Sequence, residues 1–246
     1  MDLKSLIDPV VALAEDAGRA ILEVYSTDFD VQSKDDESPL TQADLASHRC
    51  IMAGLTALTP DIPVISEEEG LPEFAVRSQW QRYWLIDPLD GTKEFVNRNG
   101  EFTVNIALIE YGVPVLSVVH VPVSGVSYSA CQGQGAFKQE PGGEPYPIRV
   151  RKLDAGPVMV VGSRSHRGDS LVRFLEKLGE HEMVGMGSSL KLCLVAEGAA
   201  DVYPRYAPTM EWDTAAGHAI ALEAGRDLGM VDVLTGNRFG HDTNEP

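Results

Sequence analysis

The sequence predicts an α/β protein of two lobes that divide near residue 150. Three observations lead there. A helical apolar period opens the chain, an alternating apolar run fills residues 102–137, and strands alternate with helices beyond Pro147. The first two describe helices set against an antiparallel sheet, and the third describes an α/β unit. At 246 residues and 43% hydrophobic composition, there is material for one compact domain or for two small ones sharing a core. The expected organisation is an N-terminal α+β lobe over residues 1–147 and a C-terminal α/β lobe over residues 148–246.

Leu3, Leu6, Ile7, Val10, Val11, Ala14, Ala17, Ile21 and Leu22 recur at spacings of three and four, so the first ~20 residues form an amphipathic helix. Phe29 to Ser33 is a short strand candidate before a polar loop. Thr41 stands three residues before Asp44, a capping spacing, and Leu45, Ile51, Met52, Leu55 and Leu58 carry a second helix to about Thr59, where Pro60 closes it. Ile62–Ser66 and Tyr83–Ile86 are apolar runs that each end in acids, as buried strands delivering carboxylates at their C-terminal ends would. Residues 102–137 break at a Tyr111-Gly112 turn and read as an antiparallel meander. Pro141-Gly142-Gly143, with Pro145 and Pro147, is the linker candidate. Val158–Val161 and His181–Val184 are then strands; Ser170–Leu178, Ser188–Glu197 and Trp212–Ala224 are helices.

Composition excludes several functions. Twenty lysines and arginines against 37 acids give a net charge of −17, which repels nucleic acid and anionic membrane surfaces. No apolar run approaches the ~18 residues of a membrane span. Residues Met1–Asp16 lack the basic-then-apolar order of a secretory signal, so the expected compartment is the cytoplasm. Three separated cysteines, with no C-x-x-C, speak against a disulfide framework or a thiolate zinc site. The scattered histidines, among them His48, His120 and His218, read as structural.

The chemistry concentrates in Tyr83-Trp-Leu-Ile-Asp87-Pro88-Leu89-Asp90-Gly91-Thr92-Lys93-Glu94-Phe95. A strand runs into two aspartates three apart; Pro88 fixes its own φ and Gly91 permits a tight turn. Such a turn can aim both carboxylates and the Leu89 carbonyl at one point, the all-oxygen set that a hard divalent cation takes. Asp-Pro and Asp-Gly are also ordinary turn residues, but Glu67-Glu68-Glu69 after one strand, Asp44 on a helix and Trp212-Asp213 at another helix start enlarge the set. As an alternative, Asp213 caps that helix. Asp87 and Asp90 stand three apart and not in the Asp-x-Asp spacing of a phosphoenzyme, and a Cys-x5-Arg loop, a Walker loop and G-x-S-x-G are missing, so direct attack by water fits better.

In order and spacing, Asp44, Glu67-Glu68, Asp87-Pro-Leu-Asp-Gly-Thr92 and Trp212-Asp213 resemble the inositol monophosphatase superfamily of magnesium-dependent, lithium-sensitive phosphatases. Asp87–Phe95, Asn99-Gly-Glu-Phe-Thr-Val-Asn105 and Gly162-Ser-Arg-Ser-His166 look most like its bacterial 3′(2′),5′-bisphosphate nucleotidase branch, and Gly133-Gln-Gly135-Ala-Phe137 adds weakly to the likeness. The resemblance runs from the first helix to about Gly236 and implies a sugar-phosphatase-like layered αβαβα sandwich. It also implies that Glu67, Asp87 and the Leu89 carbonyl hold one magnesium, that Asp87, Asp90 and Asp213 hold a second, and that Glu68 reaches a third, looser one through water. Asp44 and Thr92 match the pair that orients and deprotonates the attacking water. Glu67, Leu89, Asp90, Gly91, Thr92 and Asp213 would also meet the substrate phosphate; Ser163, His166, Gly187, Lys191 and Arg205 would meet the nucleotide. Lys191 has a plainer reading, as a lysine snorkelling from a helix.

The substrate so implied is a nucleoside bisphosphate, adenosine 3′,5′-bisphosphate, cleaved to AMP and phosphate, a reaction linked to sulfate assimilation. Inositol phosphates and fructose 1,6-bisphosphate are the alternatives within one fold. A non-catalytic metal-binding module is the alternative of another class, and the intact Asp44 and Thr92 argue against it. Homodimers are common among such relatives. The ending Asn237–Pro246 departs from the family pattern.

Overall fold

The computed structural model describes residues 2–27, 39–152, 156–163, 169–206 and 208–225. The strand expected at Phe29–Ser33, the His166 site and the ending Asn237–Pro246 lie outside these residues.

Helix α1 (Ile7–Tyr25) buries Val10, Val11, Ala14, Ala17 and Ile21, the stripe its spacing predicts. Helix α2 (Pro39–Leu58) starts ahead of the expected cap at Thr41, because proline is at home in a first helical turn. The central sheet has seven strands in chain order: β1 (Val64–Ser66), β2 (Arg82–Asp90), β3 (Thr103–Glu110), β4 (Val113–Val121), β5 (Val126–Cys131), β6 (Gly135–Gln139) and β7 (Tyr146–Ile148). β1 pairs parallel to β2 and every later pair is antiparallel, so the meander stands as expected. Two short helices, α3 (Phe74–Arg77) and α4 (Thr92–Val96), were not foreseen. The Pro141–Pro147 segment corrects the linker expectation: it turns back so that Tyr146–Ile148 pairs with β6, and Pro147 sits at the sheet edge, where a missing N–H is tolerated.

Beyond the sheet come β8 (Val158–Gly162), α5 (Asp169–Leu178), β9 (His181–Gly185), α6 (Leu190–Ala196) and α7 (Glu211–Gly225). β8 and β9 pair parallel, with α5 as their crossover. Alternation along the central strands sorts their side chains onto two faces. Trp84, Ile86, Val104, Ile106 and Val118 pack with α1 and α2. Tyr83, Leu85, Ala107, Ile109 and Val119 pack with Leu190, Cys193, Trp212, Ala216 and Ile220 of α6 and α7. Val161, Val195 and Ala200 join the small sheet to α6. Helices from beyond residue 148 therefore share a core with the sheet from before it. Gly217 lets α7 lie close against α6, since a Cβ there would lie 2.6 Å from Leu192 Cδ1. No helix among the described residues is long and apolar enough to cross a membrane.

Candidate active site

The site forms where β1 and β2 end beside α2, α6 and α7. The parallel ladder pairs Ser66 with Ile86, so Glu67 and Asp87 follow it side by side. Glu67–Glu69 turn as a 3-10 helix whose first orphan donor is satisfied locally: Glu68 N–H donates to Ser66 Oγ at 3.3 Å. β2 continues against β3 through a bulge, with Asp87 opposite Asn105 and Asp90 opposite Thr103. An added residue in a bulge re-aims side chains, and here it turns the Asp-Pro-Leu-Asp segment. Leu89 N–H donates to Asp87 Oδ1 at 3.1 Å. Gly91 has φ of 101°, and a Cβ there would meet Phe102 Cα and Ser188 Cβ at 3.2 Å, so a side chain is excluded twice over.

Asp90 is fixed from the other half of the chain. Ser189 N–H donates to its Oδ2 at 2.5 Å, while Ser189 Oγ donates to Asn105 Oδ1 at 2.8 Å and stands 2.9 Å from Thr103 Oγ1. Asp213 lies in the first turn of α7, where its Oδ2 accepts from Thr209 Oγ1 at 2.8 Å and Met210 N–H at 3.1 Å. The capping alternative is thus realised, and it occupies one oxygen of the carboxylate.

The electrostatics show how closely these groups are gathered. Burial, then the charges of Asp90, Glu67, Asp213 and Asp44, push Asp87 well above the carboxylate range. Burial and Asp213 push Asp90 up to about 6, against the pull of Lys191, Ser189 N–H and Asn105. Burial, followed by Glu68 and Glu67, takes Asp44 up to about 8. Glu67 is raised chiefly by burial, then by Asp213 and Glu68, while its hydrogen bond with Asp87 opposes. One oxygen of Asp44, Oδ1, is buried with no hydrogen-bond partner among the described residues.

Acids this crowded cannot all ionise without a cation to offset them, and oxygen donors of this kind suit magnesium. The residues therefore fit a hard divalent ion in charge and in donor type. Among the described residues, no three His, Cys, Asp or Glu side chains are already arranged to hold a metal as they stand.

Of the expected nucleotide residues, Lys191 stands beside Asp90, and Arg205 is close enough to act on Lys191. Lys191 is 6% exposed, so it does not snorkel: its Nζ donates to Ser188 O at 2.5 Å and lies 5.5 Å from the Tyr203 ring centroid. Burial lowers its pKa, opposed by Asp90 and Glu94. Arg205 Nη2 donates to Pro208 O at 2.7 Å, and its charge is felt at both Lys191 and Tyr203. Gly187 N–H donates to Glu101 Oε2 at 2.8 Å, and a Cβ there would run into Glu94 Cγ at 2.4 Å. Ser163 follows the end of β8, and Thr92 is exposed at the start of α4. Glu68 meets Asp44 through its side chain. Sequence reading gave no site role to Asn105, which only closes a string that carries the resemblance, to Ser189 and Ser47, or to His48, which reads as structural. Only the Thr103-Val-Asn105 and Ser188-Ser189 strings hinted at the first two, as polar residues inside otherwise apolar elements.

Comparison with known proteins agrees with this architecture. The model of the inositol monophosphatase family matches residues 2–244. A 3′(2′),5′-bisphosphate nucleotidase CysQ from Escherichia coli O6:H1 is 58% identical over 222 residues, covering 89% of this chain and 88% of its own. The CysQ of Buchnera aphidicola is 45% identical over 240 residues, 97% of this chain and 88% of its own. The crystal structure of CysQ from Bacteroides thetaiotaomicron, described as a bacterial member of the inositol monophosphatase family, superposes with a TM-score of 0.79 at 43% identity, covering 88% of this chain and 86% of that one. The matched model spans the strand ends, the bulge and both helix starts that bring the acids together, and the chain belongs to the inositol monophosphatase family.

Proposed function

We propose that the protein is a magnesium-dependent 3′(2′),5′-bisphosphate nucleotidase that converts adenosine 3′,5′-bisphosphate to AMP and phosphate. The observation that carries this reading is the 58% identity to a nucleotidase over 89% of the chain, with the acid group and Lys191 inside the aligned family span. Membership of the family implies a metal-dependent phosphatase. The finer assignments rest on the donor set.

Glu67, Asp87, the Leu89 carbonyl, Asp90 and Asp213 would hold two magnesium ions, and Glu68 a third through water. Magnesium bound there would acidify a water and offset charge on the phosphate. The chain's own residues do the rest. Asp44, buried beside Glu68 and raised by its acidic neighbours, would accept a proton from the attacking water once bound cations offset those charges and leave it ionised, and Thr92 Oγ1 would orient that water. An acid and a hydroxyl are the two groups a general-base step needs. The Gly91 turn lets the backbone approach the phosphate closely. Lys191 and Arg205 supply the positive charge that a second phosphate needs in a protein of net charge −17. By the family resemblance, Ser163, His166 and Gly187 would contact the nucleoside side. A homodimer in the cytoplasm is the setting this reading expects.

Phosphate release from adenosine 3′,5′-bisphosphate, inositol 1-phosphate and fructose 1,6-bisphosphate, each with and without magnesium, tests the proposal. The bisphosphate nucleotide should be preferred and every activity should need the metal. Preference for inositol 1-phosphate would overturn the nucleotide assignment, and full activity after chelation would overturn the metal.

A further inference from the structure

The two acid segments lose their mutual support where their carboxylates begin. β1 and β2 are laddered only through Val64–Trp84, Ile65–Leu85 and Ser66–Ile86. Past that point one strand curls into the Glu67–Glu69 turn while the other bulges between Asp87 and Asp90. A hydrogen bond joins Glu67 to Asp87, but burial and like charge oppose holding the two acids together, so groups outside the β1–β2 ladder are needed to fix the separation of their segments.

Helix α2 touches both segments. Ser47 is fully buried, and its Oγ donates to the Pro88 carbonyl at 2.8 Å across 41 residues of sequence. His48 is 7% exposed and its Nδ1 lies 2.9 Å from Ser66 Oγ, the atom that receives Glu68 N–H. Its Nε2 faces Glu69 Oε1 at 3.5 Å. Asp44 precedes them by three and four residues, so all three side chains share one helix face. One rigid element therefore grips the bulge with Ser47, the turn with His48, and carries Asp44 between them.

We propose that Ser47 and His48 are positioning residues: they set the spacing between the Glu67 turn and the Asp87 bulge and so preorganise the magnesium site. The inference rests on the reading of Glu67 and Asp87 as metal ligands. Neither Ser47 nor His48 is placed against substrate. Groups that orient metal ligands from behind are typically worth about 10- to 100-fold in metal affinity or activity.

The test is magnesium binding to the substrate-free protein by titration calorimetry, followed by substrate KM at saturating magnesium. Ser47→Ala and His48→Ala should each weaken magnesium binding about tenfold or more, while KM at saturating metal stays at the wild-type value. His48→Asn should restore most of the affinity, because its amide offers both a donor and an acceptor near the position of Nδ1. Ser47→Cys, similar in shape with a weaker donor, replaces the alanine variant if that one fails to fold. Asp87→Asn is the reference for the underlying reading, and unchanged magnesium binding in it would overturn the metal assignment itself. Loss of binding in Asp87→Asn with wild-type affinity in the Ser47 and His48 variants would overturn the positioning role alone.

Discussion

Replacing Lys191 with methionine separates nucleotide recognition from phosphate chemistry. The ammonium is buried, shares its surroundings with the Asp90 and Glu94 charges, and is held by the Ser188 carbonyl at 2.5 Å. Methionine keeps most of the volume and removes the charge. The variant loses one hydrogen bond to Ser188 and gains by no longer burying an ammonium. Fold stability should therefore stay within about 1 kcal/mol of wild type. A charge-assisted hydrogen bond from Nζ to the second phosphate is worth roughly 1.5–3 kcal/mol, which is about 10- to 150-fold in kcat/KM. Any effect on Asp90 is common to all substrates and cancels in a ratio. The assay is kcat/KM for adenosine 3′,5′-bisphosphate divided by kcat/KM for inositol 1-phosphate, in wild type and Lys191→Met. The ratio should fall by about 10- to 150-fold. An unchanged ratio with an intact fold would refute the reasoning and return Lys191 to a structural role.

Asp90→Asn should keep the fold, since an amide oxygen can still accept from Ser189 N–H, and should lose most activity at any magnesium concentration; wild-type turnover at saturating magnesium would remove Asp90 from the ligand set. His120 is held down to about 4 by burial, then by Arg19, whereas an unfolded histidine titrates near 6.5. Its neutral form is thus favoured by folding, and its contribution is complete above about pH 6.5 and lost as pH falls toward 4. The stability difference between wild type and His120→Gln in urea titrations should shrink by about 2 kcal/mol from pH 7.5 to pH 5; a constant difference would show that burial does not shift this histidine. Gly217→Ala should destabilise despite alanine's advantage of about 1 kcal/mol in a helix, because the new methyl would sit 2.6 and 2.7 Å from Leu192 Cδ1 and Cβ. A rise in melting temperature would mean that α6 and α7 are less tightly apposed.

Much of this was legible in the sequence because local chemistry dictates it. The period of α1, the alternation through β3 to β6 and the acids at strand ends each reflect a short-range rule, and they locate the acid group without knowledge of tertiary contacts. Other features depend on distant partners. The Pro141–Pro147 segment has the composition of a linker, and only its pairing with β6 makes a strand of Tyr146–Ile148. Lys191 looked able to snorkel from a helix surface, yet α6 lies inside the core, where the ammonium meets a carbonyl and an aromatic ring. Ser47, His48, Asn105 and Ser189 are unremarkable letters in apolar surroundings. Their roles depend on groups 18 to 99 residues away, a separation at which spacing in one sequence carries no signal.

The acid group is expected to work on the 3′-phosphate of a nucleotide whose second phosphate lies toward Lys191 and Arg205. Phosphorus NMR of adenosine 3′,5′-bisphosphate incubated with the protein and magnesium tests it most directly, because the surviving phosphate identifies which ester was cleaved. 5′-AMP and inorganic phosphate should appear in equal amounts, with no reaction when magnesium is withheld. Release of the 5′-phosphate to leave 3′-AMP, or an intact nucleotide beside rapid hydrolysis of inositol 1-phosphate, would contradict it.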